Sequence, residues 1–381
     1  MGDENMSGIY FHIPFCKTKC RYCDFYSTTN FKEIEEFFGV LKAELWLRRN
    51  FLNDINIETI YFGGGTPSLL KTNSIKDLLQ AVYSVFKVEK EAEITFESNP
   101  DDLLDNYLYE LKETGINRLS IGIQSFHDRD LLFLGRRHNS RQAVEVVKKA
   151  QEAGFDNISI DLIYGIPGLS LSNWKENLNR AFELGIQHLS AYHLTYHKNT
   201  QLWNELKNEK FIETDERESI KQFNILLGLA EQNGFEFYEI SNFAKKGKHS
   251  KHNTAYWNQV EYLGIGPSAH SYNTNSRYWN CSDISEYKEK ITRGILPGES
   301  ENLGLKEQMN DYILTRLRTK WGIDMTYLSK TFGEKIPRQL LILAEPYIKS
   351  GRIIKEGAML RLSPAGFLIS DKIISDLIFT E

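Results

Sequence analysis

Short β-branched segments alternate with longer helical segments through the first 235 of the chain's 381 residues. Glycines such as Gly115 and Gly154 follow the helical segments, where C-terminal caps belong. Alternating strands and helices indicate a parallel sheet with right-handed crossovers. Six successive units therefore predict an α/β barrel, open or closed, rather than a small doubly wound sheet. The predicted strands are Gly8–Ile13, Ile57–Phe62, Ala92–Glu97, Arg118–Ile123, Asn157–Leu162 and His188–Thr195. The predicted helices are Lys32–Arg49, Ser74–Phe86, Leu103–Thr114, Ser140–Ala153, Ser172–Leu184 and Asp215–Asn233.

Glycine or polar residues follow every one of these strands. On a barrel, functional groups gather at the carboxyl ends of the strands. One polar strand end is ordinary, whereas six in succession indicate a single rim that carries a binding site. The six segments are His12–Cys23, Gly63–Pro67, Glu97–Pro100, Gly122–Ser125, Asp161–Gly165 and His193–His197.

Three of the four cysteines, Cys16, Cys20 and Cys23, have the spacing Cys-x3-Cys-x2-Cys. Thiolates select iron–sulfur clusters, zinc or copper(I). A four-iron cluster normally takes four cysteines, so three leave one iron open to a small external ligand. A structural zinc ion needs a fourth protein ligand, for which His12 and Cys281 are the alternatives. Incidental cysteines are the remaining alternative, which this close spacing disfavours.

The charge balance excludes some partners. The net charge is −5, from 46 basic and 51 acidic residues, and no long basic run suggests nucleic acid. The first residues lack a basic start followed by an apolar stretch, and no apolar segment reaches membrane-spanning length. We expect a soluble, cytoplasmic protein without an intrinsic membrane segment.

The pattern changes twice along the chain. Residues 1–235 carry the barrel units, and residues 236–303 form an extension rich in aromatic residues and glycine. Residues 304–381 return to helical periodicity and include a predicted hairpin, GRIIKEGAMLRLS. We predict three parts, the last of them a small winged-helix-like domain.

Several segments resemble the radical S-adenosylmethionine (SAM) superfamily. YFHIPFCKTKCRYC is similar to its cluster motif, while YFGGGTPSLL, NRLSIGIQSF, IDLIYGIPG and YLGIGPSAHSY resemble one branch. That branch contains oxygen-independent coproporphyrinogen III oxidase and the HemW family of heme chaperones. The resemblance implies a partial (β/α)6 barrel with a small α+β C-terminal domain. It also implies a [4Fe–4S] cluster whose open iron chelates SAM, which the superfamily cleaves to a 5′-deoxyadenosyl radical.

The resemblance places SAM among residues at or near the strand ends. A glycine run lets backbone approach a ligand, and a cation facing a carboxylate is chemically sensible. For each polar residue, a helix cap or a surface ion pair is the alternative. The implied SAM residues are Tyr10, Tyr22, Gly64, Gly65, Thr66, Glu97, Gln124, Arg136, Asp161 and Thr195.

Phe25 separates two functions within the branch. The coproporphyrinogen III oxidases of this branch have a fourth cysteine two positions after the third, and this chain has Phe25 at that position. The segment CDF, which begins at the third cysteine, is similar to the corresponding segment of the heme chaperones. Both readings stay open: a heme chaperone, or an oxidase acting in porphyrin biosynthesis. The sequence also leaves open whether SAM is cleaved.

The segment HNTAYW resembles the HNxxYW motif of the heme chaperones, which implies heme contacts for His252, Tyr256 and Trp257. A histidine can be an axial ligand to heme iron, and aromatic rings can pack on a porphyrin. From the residues alone, a hydrogen-bonded histidine beside a core tryptophan is the commoner case. The alternative ligands are His193, His249 and His270. The expected partners are heme, SAM and heme-accepting apoproteins such as respiratory enzymes, with a homodimer as a further option.

Overall fold

Six parallel strands form the centre of the molecule. The computed structural model describes residues 7–31, 34–53 and 56–379. The start of the predicted helix Lys32–Arg49 and the N-terminal segment 1–6 lie outside these ranges. Neighbouring strands pair in chain order from β1 to β6, and β1 and β6 do not pair with each other. The strands are β1 (Ser7–Ile13), β2 (Asn56–Gly64), β3 (Lys87–Ser98), β4 (Arg118–Gln124), β5 (Ile158–Tyr164) and β6 (His188–His193). This arrangement confirms the partial (β/α)6 barrel.

Helices connect consecutive strands and cover one face of the sheet. Each predicted helix is found, and two short ones, α4 and α7, were not predicted. Asn139 forms a reciprocal capping box with Gln142 at the start of α5. The helices are α1 (Ile34–Leu47), α2 (Thr72–Val85), α3 (Asp105–Glu113), α4 (Asp128–Leu134), α5 (Ser140–Glu152), α6 (Leu171–Glu183), α7 (Gln201–Lys207) and α8 (Glu216–Gln232).

The two faces of the barrel strands differ in chemistry because side chains alternate along a strand. On one face, Phe11 stacks on Phe62 with ring centroids 5.0 Å apart, and the ring of Phe96 lies 6.0 Å from that of Phe62. These rings are fully buried in the apolar core. On the other face, Tyr61 lies 6.0 Å from the ring of Tyr10. The polar face is thus free to line a site.

Residues 235–302 extend the barrel sheet at both edges. The strand β8 pairs antiparallel with β6, whereas β9 pairs parallel with β1. Twelve strands of the described ranges thereby form one sheet. The added elements are β7 (Phe235–Glu239), β8 (Asn242–Lys245), α9 (Lys251–Trp257), β9 (Tyr262–Ile265), β10 (His270–Tyr272), β11 (Ser276–Asn280), α10 (Ile284–Thr292) and β12 (Gly298–Asn302).

The last part of the chain is a small α+β unit that contacts the barrel sheet. Its three strands form a separate antiparallel sheet in the order β13-β15-β14, which includes the predicted hairpin. Arg277 on β11 forms an ion pair with Asp311 on α11. Across the described ranges, no helix combines the length and apolar character needed to cross a membrane. The elements are α11 (Leu305–Leu317), β13 (Ile323–Asp324), α12 (Met325–Phe332), α13 (Lys335–Lys349), β14 (Ile353–Glu356), β15 (Met359–Leu362), α14 (Pro364–Phe367) and α15 (Ser370–Leu377).

Candidate functional site

A cavity of about 390 Å³ lies at the carboxyl ends of the barrel strands. All three clustered cysteines line it, and so do nine of the ten residues that the sequence associates with SAM. The nine are Tyr22, Gly64, Gly65, Thr66, Glu97, Gln124, Arg136, Asp161 and Thr195. We call this the rim cavity.

The three thiols follow β1 directly and form no disulfide. The Thr66 hydroxyl donates to Cys16 Sγ at 3.4 Å, and the Arg136 guanidinium donates to Cys20 Sγ at 3.2 Å. Burial raises the pKa of Cys16, and it raises the pKa of Cys23 to about 11. Cys16 and Cys23 therefore keep their protons at neutral pH unless a metal stabilises the thiolates.

The backbone beside the thiols has no room for a side chain at Gly65. A Cβ added there would lie 2.7 Å from the Phe15 carbonyl oxygen and 3.0 Å from Cys16 Sγ. The Gly65 amide donates to the Ile13 carbonyl at 2.7 Å, which fixes the glycine loop against the cysteine loop. Three free thiols around one cavity, beside backbone that approaches this closely, fit a cluster held by three thiolates.

Cys281, an alternative fourth ligand, lies elsewhere. Its Sγ is 3.7 Å from the carbonyl oxygen of Asp283, and the residue does not line the rim cavity. Within the described ranges, no set of three or more histidine, cysteine, aspartate or glutamate side chains has the arrangement of a single-ion site.

Four carboxyl groups line the cavity, and two of them, Glu97 and Asp161, belong to the barrel strands β3 and β5; the others are Asp24 and Asp101. Glu97 accepts from the Tyr61 hydroxyl at 2.6 Å and from the Gly64 amide at 3.2 Å. Burial raises its pKa to about 7, and it raises the pKa of Asp161 to about 6. Repulsion from the nearby Asp161 carboxylate also raises the pKa of Glu97. A cationic ligand placed here would favour the ionised forms.

Arg136 is a half-buried cation in the cavity wall. Its Nη2 donates to the Gly122 carbonyl at 2.7 Å and to Asn99 Oδ1 at 2.5 Å. Its Nε is buried and has no hydrogen-bond partner among the described residues. A carboxylate ligand would supply the missing acceptor.

Asn99 is a cavity residue that the sequence did not single out. It fixes the guanidinium of Arg136 and donates to the Thr66 hydroxyl at 3.1 Å. Its signal was its place in the predicted strand-end segment Glu97–Pro100. Gln124 has a positive φ of 69° at the end of β4, and such strain is common at functional sites.

Tyr10 lies elsewhere, in a second cavity of about 640 Å³ that also contains Tyr256 and Trp257. We call it the aromatic cavity. Phe25 lines both cavities and is 64% exposed. This shared wall was not predicted from the sequence, because the aromatic cavity on its second side depends on the pairing of β9 with β1.

His252 is buried behind the aromatic cavity and does not line it. Its Nδ1 is 2.7 Å from the Thr59 hydroxyl, and its Nε2 is 2.8 Å from the Tyr256 hydroxyl. Burial lowers its pKa to about 3, so the ring is neutral. Both ring nitrogens are occupied by hydrogen bonds.

Comparison with known proteins identifies the family. Residues 10–181 match the radical SAM superfamily, and residues 303–369 match the HemN C-terminal domain. The heme chaperone HemW of Bacillus subtilis is 30% identical over 97% of this chain and 98% of that protein. This chain belongs to the HemW family. HemW of Lactococcus lactis is 34% identical over 84% of this chain and 83% of its own.

A solved structure shares the fold of this HemW family member. Coproporphyrinogen III oxidase (HemN) of Escherichia coli superposes with a TM-score of 0.86 at 21% identity, covering 99% of this chain and 91% of its own. The cofactors of the radical SAM superfamily are a [4Fe–4S] cluster and SAM. Bound together, they supply one-electron reduction of the SAM sulfonium. In this HemW family member, the rim cavity is lined by three thiols, four carboxyl groups and the half-buried guanidinium of Arg136, which suit these cofactors.

Proposed function

We propose that this protein is a heme chaperone, which binds heme and delivers it to apoproteins such as respiratory enzymes. The observation that carries the proposal is the similarity to a heme chaperone over 97% of this chain and 98% of that relative. The aromatic cavity supports it, because a pocket of about 640 Å³ has the size of small-molecule and cofactor sites.

The proposal assigns the rim cavity to the cluster and SAM. Cys16, Cys20 and Cys23 hold the cluster, and the glycine loop presents backbone to the methionine end of SAM. Arg136 faces the SAM carboxylate through its unpartnered Nε, and Glu97 faces the ammonium. In these roles, Arg136 and Glu97 each face a group of opposite charge, which makes the hydrogen bonds stronger.

Phe25 argues for carriage of heme rather than decarboxylation of a porphyrinogen. An exposed aromatic ring stands where the oxidase has its fourth cysteine, and it faces both cavities. The ring cannot act as a ligand or as an acid or base. Its role in the proposal is to close the rim cavity on the side of the aromatic cavity.

One anaerobic experiment tests the proposal. The full chain with a reconstituted cluster is titrated with hemin, and it is also incubated with SAM, a reductant and coproporphyrinogen III. We expect saturable heme binding and no decarboxylated product. Decarboxylated product, or failure to bind heme, contradicts a chaperone role.

Delivery needs its own measurement. The heme-loaded protein is mixed with an apo-hemoprotein of the respiratory chain, and heme transfer is followed by the change in the Soret band. Sedimentation of the same sample shows whether loading with heme produces a homodimer. Transfer no faster than from free hemin would contradict a role in delivery.

A further inference from the structure

The aromatic cavity has walls from three parts of the chain. Tyr10 comes from β1, Tyr262 from β9 and Tyr272 from β10, while α9 contributes Tyr256. The ring of Tyr256 meets that of Tyr262 edge-on, with centroids 4.5 Å apart. The helix α11 of the C-terminal unit closes the remaining side. Such rings can pack on the faces and edges of a flat macrocycle.

The histidines near this cavity differ in whether a nitrogen is free. His12 lines it, but its Nδ1 lies 3.1 Å from the Tyr10 hydroxyl and its Nε2 lies 3.1 Å from the Tyr26 carbonyl oxygen. His252 is occupied at both nitrogens and lies behind the wall. Neither can bind iron without losing a hydrogen bond.

His270 is different. It lines the aromatic cavity from β10 and is exposed, and its ring nitrogens form no hydrogen bond to the described residues. The ring stacks on Trp279 with centroids 6.4 Å apart, which restricts its orientation. Partial burial lowers its pKa, and the nearby Arg277 lowers it further. The neutral imidazole is the form that binds metals.

Trp257 supplies a second feature that points to a ligand. It lines the cavity, and its indole N–H is buried without a hydrogen-bond partner among the described residues. Buried donors in proteins are nearly always paired, so a turn of the indole toward the cavity would give this N–H an acceptor brought by a ligand. The carboxylates of a heme are acceptors of that kind.

We infer that His270 is the axial iron ligand of a heme held in the aromatic cavity, and that Trp257 donates to one of its carboxylates. His252 is then a positioning residue, which acts by holding the Tyr256 hydroxyl. The inference rests on the proposed chaperone function, and it assigns the iron to a residue outside the HNxxYW segment.

The ligand is tested by spectroscopy of the full-length protein loaded with hemin. We expect His270→Ala to lose the imidazole-ligated Soret and Raman signature, and added imidazole to restore it. His270→Cys should show a thiolate-ligated spectrum instead, since the ligand itself has changed. His249→Ala is the matched control, because His249 lies outside both cavities and bonds to Glu236 at 2.7 Å.

The role of His252 is tested in parallel. His252→Ala should keep the imidazole signature while binding heme more weakly, and His252→Gln should recover part of the affinity by bonding Tyr256. Iron-free protoporphyrin separates the contribution of the cavity walls to binding from that of the iron ligand. Its binding should be unchanged in His270→Ala and weaker in Trp257→Phe.

The outcomes separate the inference from the function. If the wild-type protein binds no heme, both fail. If it binds heme and His270→Ala keeps the wild-type spectrum, the chaperone function stands and the assignment of His270 is overturned. Loss of ligation in His252→Ala, with a native circular dichroism spectrum and an unchanged His270→Cys spectrum, also overturns it.

Discussion

Replacing Gly65 by alanine should prevent cluster assembly while the barrel still folds. The added Cβ would lie 2.7 Å from the Phe15 oxygen, 2.9 Å from the Ile13 oxygen and 3.0 Å from Cys16 Sγ. Two of these atoms are backbone, so the cysteine loop itself has to move. Overpacking of this kind costs about 1–3 kcal/mol. At about 1.4 kcal/mol per tenfold, the population with the loop in its native position falls by roughly 5- to 150-fold.

The assay measures iron and sulfide per chain after anaerobic reconstitution, together with the urea midpoint of the unloaded protein. Gly39→Ala is the matched control, since a Cβ added at that position in α1 meets nothing within 4 Å. It should stabilise the protein by about 0.5–1 kcal/mol through the helix preference of alanine. Wild-type iron content and SAM binding in Gly65→Ala would refute the steric argument.

Further substitutions probe the rim cavity. The pKa of Glu97 is raised to about 7, so its carboxyl becomes protonated as the pH falls below that value. The affinity for SAM, measured by calorimetry, should therefore weaken as the pH falls through 7. Glu97→Gln should remove this dependence of the affinity on pH. Asn99→Ala removes an acceptor from Arg136, and loss of a hydrogen bond to a charged group costs about 1.5–3 kcal/mol. SAM should bind at least about tenfold more weakly, and a smaller loss in Asn99→Asp would support the positioning role. Phe25→Ala opens the wall between the cavities, so the cluster absorbance should bleach faster in air than in Phe31→Ala, a change at an exposed ring outside both cavities. Equal bleaching rates in the two variants would contradict the role of Phe25 as a wall between the cavities.

The barrel and its rim could be predicted because their signals are local. Helix caps such as Asn139 and the alternation of strand with helix are written in neighbouring residues. The carboxyl ends of parallel strands share an edge, so the segments after the strands were expected to meet. The cavity lining agrees with that expectation for nine of the ten SAM residues, although their roles stay predictions.

The aromatic cavity could not be predicted for the opposite reason. It exists because β9 pairs with β1 across some 250 residues of chain, for example Leu263 with Ile9. The strand is four residues long, contains Gly264 and is followed by Gly266, and nothing in that segment specifies a distant partner. The burial of His252 depends on another long-range contact, its hydrogen bond to Thr59 on β2, so the motif alone could not distinguish a ligand from a supporting residue.

The helix α11 belongs to the C-terminal unit, yet Asp311, Leu314 and Thr315 on it close the aromatic cavity. The ion pair between Arg277 and Asp311 connects α11 to β11 of the barrel sheet. Any protein that grips the C-terminal unit and shifts α11 therefore changes the affinity for whatever the cavity holds, and by thermodynamic reciprocity the contents change the affinity for that protein. Docking on the C-terminal unit and release from the aromatic cavity are then coupled through the position of α11.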